Sequence, residues 1–255
     1  MLYRQTNYNC ENMLEGKGVT KYFGGLAALK DVDFKVEKGK IVGLIGPNGA
    51  GKTTLFNCIT GIYKPTSGKI YFMGKDITGL RPHKICQMGI ARTFQKVRPF
   101  LDMTVLENVM VGAAFGKEKS ISEKGVLEEA LYWIEFVGLK EKKDRLARNL
   151  TLFDRRFIEI ARALATNPKI ILLDEVITGL TPTETLQTMD LIRKIRDELG
   201  VTVFWIEHVM RAVMNLAEHI IVLHHGEKIA EGTPKEIAND TKVIEAYLGE
   251  RYLIT

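Results

Sequence analysis

Ile41-Val42-Gly43-Leu44-Ile45 runs without a break into Gly46-Pro47-Asn48-Gly49-Ala50-Gly51-Lys52-Thr53-Thr54, and no other stretch restricts the fold of the chain as much. The first five residues are apolar or glycine, as a strand buried on both faces of a parallel sheet reads. The segment from Gly46 onward fits the spacing GxxxxGK[ST], with a strand before it and helix-forming residues after it, the setting that gives the pattern meaning. The glycines let backbone N–H groups turn inward around phosphate oxygens. The helix opening at Lys52 presents unpaired N–H groups and its positive dipole end to the same anion. In such a loop Lys52 reaches the β- and γ-phosphates and the Thr53 hydroxyl coordinates Mg2+. Gly46, Asn48, Gly49, Ala50, Gly51, Lys52, Thr53 and Thr54 are therefore the candidate nucleotide contacts.

The rest of the chain reads as the α/β protein such a loop requires. Met13–Val19 and Ala28–Val36 alternate apolar and polar residues, which predicts antiparallel strands with one wet face. Lys69–Met73 is a further short strand, and Ile170–Leu173 and Val201–Ile206 are buried strands. The amphipathic stretch Leu186–Leu199 between the last two makes a right-handed crossover and hence a parallel sheet. From about Arg81 to Asn167 the spacing turns helical, with Val126–Val137 stopping at Gly138 and Phe157–Leu164 stopping before Asn167-Pro168. Ile220–His224 and Glu227–Glu231 form a late hairpin about Gly226, and Val243–Leu248 a short helix. The expected organisation is an extension over 1–12, a core from 13–80 and 168–255, and a mainly helical insertion over 81–167.

Composition narrows the function classes. Of 255 residues 45% are apolar and 26% charged, which excludes a disordered chain and a disulfide-stapled miniprotein. No apolar run approaches the roughly 20 residues that span a bilayer, and the first residues lack the apolar stretch of a secretory signal. Three cysteines without a CxxC or metal-ligand spacing argue for a reducing compartment. A net charge of +5 is too mild to demand a nucleic-acid partner. Asp174-Glu175, closing the strand Ile170–Leu173, stand at the carboxyl edge where open α/β sheets bind ligands. There Asp174 suits an outer-shell Mg2+ role, and Glu175 reaches the water that attacks a γ-phosphate.

Beyond the loop, residues 13–250 resemble the ATP-binding subunits of ABC transporters, with several motifs in that family's order. Phe23 in Lys21-Tyr22-Phe23-Gly24 matches the A-loop aromatic that stacks on adenine. Gln95 in Arg92-Thr93-Phe94-Gln95 matches the Q-loop, which touches Mg2+ and relays to the membrane subunit. Asp174 and Glu175 match the Walker B strand end and the catalytic glutamate, and Ile177–Pro182 falls where the D-loop belongs. His208 in Trp205-Ile206-Glu207-His208 matches the switch histidine that contacts the γ-phosphate. The resemblance is nearest to the branched-chain (hydrophobic) amino acid uptake subfamily, on Arg92–Gln95 with Met103–Val109, on Ile229–Pro234 and on Val243–Glu250.

The resemblance implies an α/β fold of the P-loop NTPase class, a RecA-like core with an antiparallel β edge and a mainly helical insertion subdomain. It implies ATP and Mg2+, with Glu175 and His208 catalytic and Thr53, Gln95 and Asp174 on the metal. Such subunits are cytoplasmic and peripheral on the inner face of the cell membrane. They pair beneath two membrane permease subunits that receive substrate from an extracytoplasmic substrate-binding protein, and no nucleic acid is involved. By the same resemblance the segment Val97-Arg98-Pro99-Phe100-Leu101 helps form a groove for a permease helix.

The family's Leu-Ser-Gly-Gly-Gln signature falls, without gaps, on Leu150-Thr151-Leu152-Phe153-Asp154. Thr151 keeps the hydroxyl. Phe153 stands for a glycine whose backbone approaches the γ-phosphate on the partner subunit, and Asp154 stands for an amide. The expectation is a phenyl ring where only backbone fits, a carboxylate facing phosphate, and a heterodimer with an intact sister subunit. In the D-loop, Val176 replaces the usual proline and Thr181 the usual Asp or Asn. Two alternatives stay open: a catalytically weak or regulatory nucleotide-binding subunit, and a non-transport ABC ATPase. The second lacks support from a long coiled-coil insertion or a second cassette.

Overall fold

The computed structural model describes residues 12–116 and 122–252, and the expected extension lies outside them except for Asn12. In chain order the elements are β1 (Asn12–Phe23), β2 (Leu26–Glu37), β3 (Ile41–Ile45), α1 (Lys52–Ile59), β4 (Ser67–Phe72), β5 (Lys75–Asp76), α2 (Pro82–Met88) and β6 (Ile90–Arg92). Next come α3 (Val105–Phe115), α4 (Glu123–Phe136), α5 (Leu152–Leu164), β7 (Ile170–Asp174), α6 (Pro182–Leu199) and β8 (Thr202–Ile206). The chain closes with α7 (Met210–Leu216), β9 (His219–His224), β10 (Glu227–Gly232), α8 (Pro234–Ala238) and α9 (Thr241–Tyr252).

Two sheets result, one in the order β2-β1-β4-β5 and one in the order β10-β9-β3-β8-β7-β6. In the larger sheet β9, β3, β8, β7 and β6 run parallel, and β10 folds back antiparallel on β9. Every residue of β3, β7 and β8 is buried, as their unbroken apolar runs require. The smaller sheet is antiparallel and shows its wet face plainly: Val32, Phe34 and Val36 of β2 are buried while Asp31, Asp33 and Lys35 are exposed. Between the sheets lies α1, whose Phe56 packs on Phe204 of β8 at 5.1 Å, with Phe34 of β2 stacked on the same ring at 6.1 Å. Each such ring removes a large apolar surface from water, and this layer fixes the position of α1.

The helices α3, α4 and α5 pack on one another and on the opposite face of the parallel sheet, sharing one apolar cluster with Ile171, Leu173, Val203 and Trp205. Gly112 permits the close approach of α3 to α5, because a Cβ there would stand 2.2 Å from the Arg162 carbonyl oxygen.

Three of the differences from expectation have a clear local reason. The helical spacing from Arg81 to Asn167 is broken by β6, whose Ile90, Ala91 and Arg92 pair in parallel with Ile170, Ile171 and Leu172. Three residues are too few to show a period, and the local sign is Gly89, which ends α2 at φ 110. Helix α5 opens at Leu152 instead of Phe157, because the Thr151 hydroxyl caps it by accepting from Asp154 N at 3.1 Å. Helix α6 opens at Pro182 instead of Leu186, capped reciprocally by Thr181 and Glu184. The D-loop position where Thr181 departs from the family is thus a helix cap. Among the described residues no helix is long and apolar enough to cross a membrane.

Candidate nucleotide site

The loop after β3 is shaped by close approaches. Gly46 has φ 147, and a Cβ on it would stand 2.0 Å from the Leu223 carbonyl oxygen. Gly51 has φ 102, and its Cβ would stand 2.5 Å from the Ala28 carbonyl oxygen. Only glycine fits either place. Lys52 is buried, and its Nζ donates to the Gly46 carbonyl at 2.6 Å and the Pro47 carbonyl at 2.8 Å, so the loop is closed around the ammonium group. The cavity over the loop, about 250 Å³, is lined by Ala28, the residues from Asn48 to Thr54, Gln95 and Glu175. Motifs distant in sequence therefore meet in one space at the carboxyl ends of β3 and β7.

Glu175 is the centre of this meeting. Its Oε2 accepts from Gln95 Nε2 at 2.8 Å and lies 3.2 Å from His208 Nε2. The Thr178 hydroxyl stands 3.4 Å from the same His208 nitrogen. The Glu175 backbone has φ 53, a left-handed conformation that costs a non-glycine residue about 1–3 kcal/mol. It is held there by its own N–H donating to the Ile206 carbonyl at 3.0 Å and by its carbonyl accepting from Arg156 Nη1. Arg156, from α5, also donates through Nη2 to the Thr178 carbonyl at 2.6 Å.

Two further charged residues stand behind the cavity. Glu207 is fully buried. It accepts from Ile177 N at 2.9 Å and from His208 N at 3.2 Å, tying the segment after β7 to His208 after β8. Burial pushes its carboxyl up to about 7 against the pull of those two N–H groups. Arg92, at the end of β6, pairs with Asp174 at 2.7 Å. Burial raises the Asp174 carboxyl, with the Arg92 bond opposing that shift. The second Asp174 oxygen, Oδ1, is buried without a hydrogen-bond partner. An orphaned carboxylate oxygen, together with the Thr53 hydroxyl and the Gln95 amide, is an all-oxygen set of the kind a hard cation such as Mg2+ takes. Arg156, Glu207 and the partnering of Arg92 have no signature in the linear motifs. The visible hints are charges placed directly beside apolar strand ends, Ile90-Ala91-Arg92 and Trp205-Ile206-Glu207.

Phe23 sits at the tip of the β1–β2 hairpin with its ring 41% exposed, edge-on to Tyr63 at 5.1 Å and beneath Lys21 Nζ at 5.1 Å. It is not among the residues lining the phosphate cavity.

The signature segment corrects the expectation. Asp154 presents no charge outward: it is buried, and both its oxygens accept from Lys142 Nζ, at 2.7 and 2.8 Å. The Phe153 ring is turned inward onto Phe157 at 4.2 Å and packs against the helical core. The side chain left at the surface is Leu152, 45% exposed and 3.9 Å from the point where a Cβ on Gly179 of the D-loop would stand. Thr151 is exposed beside it, and Leu150 is buried beneath. The α5 cap explains the geometry: once Thr151 starts the helix, residue 152 faces out and residues 153 and 154 face the subdomain.

Residues 29–178 match the ABC transporter family, and residues 227–252 match the branched-chain amino acid ATP-binding cassette transporter family. The chain is 46% identical to the high-affinity branched-chain amino acid transport ATP-binding protein BraF of Pseudomonas aeruginosa, over 93% of this chain and 98% of that protein. It is 43% identical to the protein of the same description, LivG, of Escherichia coli, again over 93% and 98%. Among solved structures it is similar to the ADP conformation of an ATP-binding cassette of an ABC transporter, with a TM-score of 0.85 and 38% identity over 93% of this chain and 99% of the other. A nucleotide-free ATP-binding cassette from an ABC transporter gives 0.84 and 36% over 92% and 98%.

Proposed function

We propose that this chain, which belongs to the ABC transporter family of ATP-binding cassettes, is the ATP-hydrolysing subunit of an importer for branched-chain or other hydrophobic amino acids. The observation that carries the catalytic part is the shared Oε2 of Glu175, fixed between Gln95 and His208 at the cavity over the phosphate loop. The loop N–H groups and Lys52 bind the phosphates of ATP. Glu175 orients the attacking water and takes its proton. Gln95 and His208 hold that carboxylate, and Phe23 offers its exposed ring to adenine. Thr53, Gln95 and Asp174 would hold Mg2+, which would supply charge neutralisation at the transferred phosphoryl group.

Two surfaces support this reading of the partners. A groove of about 240 Å³ is lined by Ile85, Cys86, Arg92, Phe94, Glu159 and Arg162 among others. Two of these lining residues also hold the neighbouring segment from Val97 to Leu101: Glu159 Oε1 accepts from Arg98 N at 2.6 Å, and Arg162 lies over the Phe100 ring at 5.2 Å. An apolar helix of a permease subunit fits such a groove and holds the chain at the inner face of the membrane. ATP closes this cassette against a second one, and a two-state rigid-body motion passes the closure to the permeases. The second cassette is a sister subunit rather than a copy. Leu152, an exposed apolar side chain at the N-terminus of α5, supports this, since an apolar side chain is a poor match for a phosphate brought to the signature segment. An extracytoplasmic binding protein delivers the amino acid.

The test is ATPase and uptake by the assembled transporter, with Glu175→Gln introduced in this chain alone. Loss of a positioned general base removes about 100- to 10,000-fold of the rate at the affected site. Undiminished turnover overturns the reading and leaves a regulatory nucleotide-binding subunit in its place.

A further inference from the structure

Arg92 is a charged side chain, only 5% exposed, where three parts of the molecule meet. Its Nη2 donates to Asp174 Oδ2 at 2.7 Å. Its Nη1 donates to Asn57 Oδ1 at 2.6 Å and to the Thr60 hydroxyl at 3.3 Å, both from the segment that begins with α1. The guanidinium lies over the Phe56 ring at 5.5 Å and the Phe94 ring at 5.0 Å. Three oxygen partners and two ring faces leave this group one orientation.

That orientation decides what Asp174 can do. With Oδ2 taken by Arg92, the buried and unpartnered Oδ1 is the oxygen left for another ligand. The same guanidinium grips the helix that carries Thr53, so one side chain sets the distance between Asp174 and the phosphate-loop helix. A buried ion pair is a weak stabiliser, because desolvation offsets most of the attraction. Its retention here is better explained by what it positions.

We propose that Arg92 is a positioning residue for Mg2+-nucleotide: it occupies Asp174 Oδ2, reserves Oδ1 for the metal side, and locks that carboxylate to the helix bearing Thr53. This rests on the reading of Asp174 as the Mg2+-side carboxylate. Partners beyond a metal's immediate ligands typically change metal affinity by about 10- to 100-fold.

The experiment is calorimetric titration of ATP, with Mg2+ and with EDTA, into chains carrying Glu175→Gln so that nucleotide is held without turnover. Adding Arg92→Gln is expected to remove about tenfold or more of the affinity that Mg2+ contributes, with affinity in EDTA unchanged. Asp174→Asn in the same background removes the Mg2+ contribution as well. If Asp174→Asn removes it and Arg92→Gln does not, the positioning role is refuted while the reading of Asp174 stands. If Asp174→Asn has no effect, that reading falls and the role of Arg92 with it. Equal losses with and without Mg2+ in Arg92→Gln indicate a packing role and also overturn the proposal. Should Arg92→Gln fail to fold by circular dichroism, Arg92→Lys is read in the same way, because a single ammonium cannot span Asn57 and Asp174 together.

Discussion

Glu207→Gln isolates the buried carboxylate that joins Ile177 to His208. The Glu207 carboxyl is moved from an ordinary 4.5 to about 7, chiefly by burial, with the Glu175 charge adding and Arg156 opposing. A group that binds its proton more tightly when folded contributes stability that is full below the unfolded pKa and is lost as pH rises through the folded one. For Glu207 the window runs from pH 4.5 to about 7. At about 1.4 kcal/mol for each pH unit of separation, the contribution lost across it is on the order of 3 kcal/mol. Glutamine does not titrate, but its one oxygen leaves either Ile177 N–H or His208 N–H without its acceptor, at about 1 kcal/mol at every pH. The variant is therefore expected to match the native chain closely near pH 5, where the native carboxyl has already lost about 1 kcal/mol, and to be about 2 kcal/mol more stable near pH 8. Urea unfolding of both chains at matched pH values reads the difference directly. If the two stabilities run parallel from pH 5 to 8, within about 0.5 kcal/mol, the carboxylate does not titrate in this window and the reasoning fails.

Two further substitutions probe the neighbouring contacts. Lys142→Met leaves Asp154 buried without its cation. The expected loss is about 1–3 kcal/mol, at the lower end because the Lys142 side chain is 40% exposed, and Asp154→Asn added to it recovers most of the loss. Thermal melts check both, and a neutral Lys142→Met means that Asp154 is not held inward. Arg156→Met removes the donors on the Glu175 and Thr178 carbonyls without touching the phosphate loop. In steady-state ATPase of the assembled transporter kcat is expected to fall by about tenfold with little change in KM, since a small displacement of a catalytic group is enough for such a loss. An equal fall in affinity for ATP argues instead for general disruption of α5.

The sequence disclosed most of the residues that line the cavity over the loop, because the pattern suited to phosphate is local. A backbone suited to wrapping a phosphate needs a consecutive stretch such as Gly46 through Thr54, and carboxylates placed at the ligand edge of a sheet need a strand end such as Asp174-Glu175. The long apolar runs disclosed β3, β7 and β8 for the same reason: a strand buried on both faces leaves no polar position to confuse the reading. Short β6 escaped, since three residues carry no period.

The contacts that stayed hidden are those with other parts of the protein. Arg92 meets Asp174 across 82 residues, Ile177 meets Glu207 across 30, and Arg156 meets Glu175 across 19. No short motif contains both members of any of these pairs. Each pair places a buried charge behind a residue that the motif does show, and burial is a property of the folded environment that residue type alone does not carry. The signature segment fails in the same direction. Read as a motif, Asp154 and Phe153 face the partner's nucleotide, because that is where the family's amide and glycine stand. Read as the first turn of a helix capped by Thr151, the same two residues face inward, and Lys142 and Phe157 are there to receive them. Two departures from the motif are thus one coordinated change: an inward ion pair and an inward ring contact that leave Leu152, beside the capping Thr151, on the surface. A segment altered by drift would leave the carboxylate without a cation or the ring without a neighbour. Here both partners are present, so the altered signature is a packed structure in its own right, and the asymmetry proposed for the pair has its origin in the core of the helical subdomain.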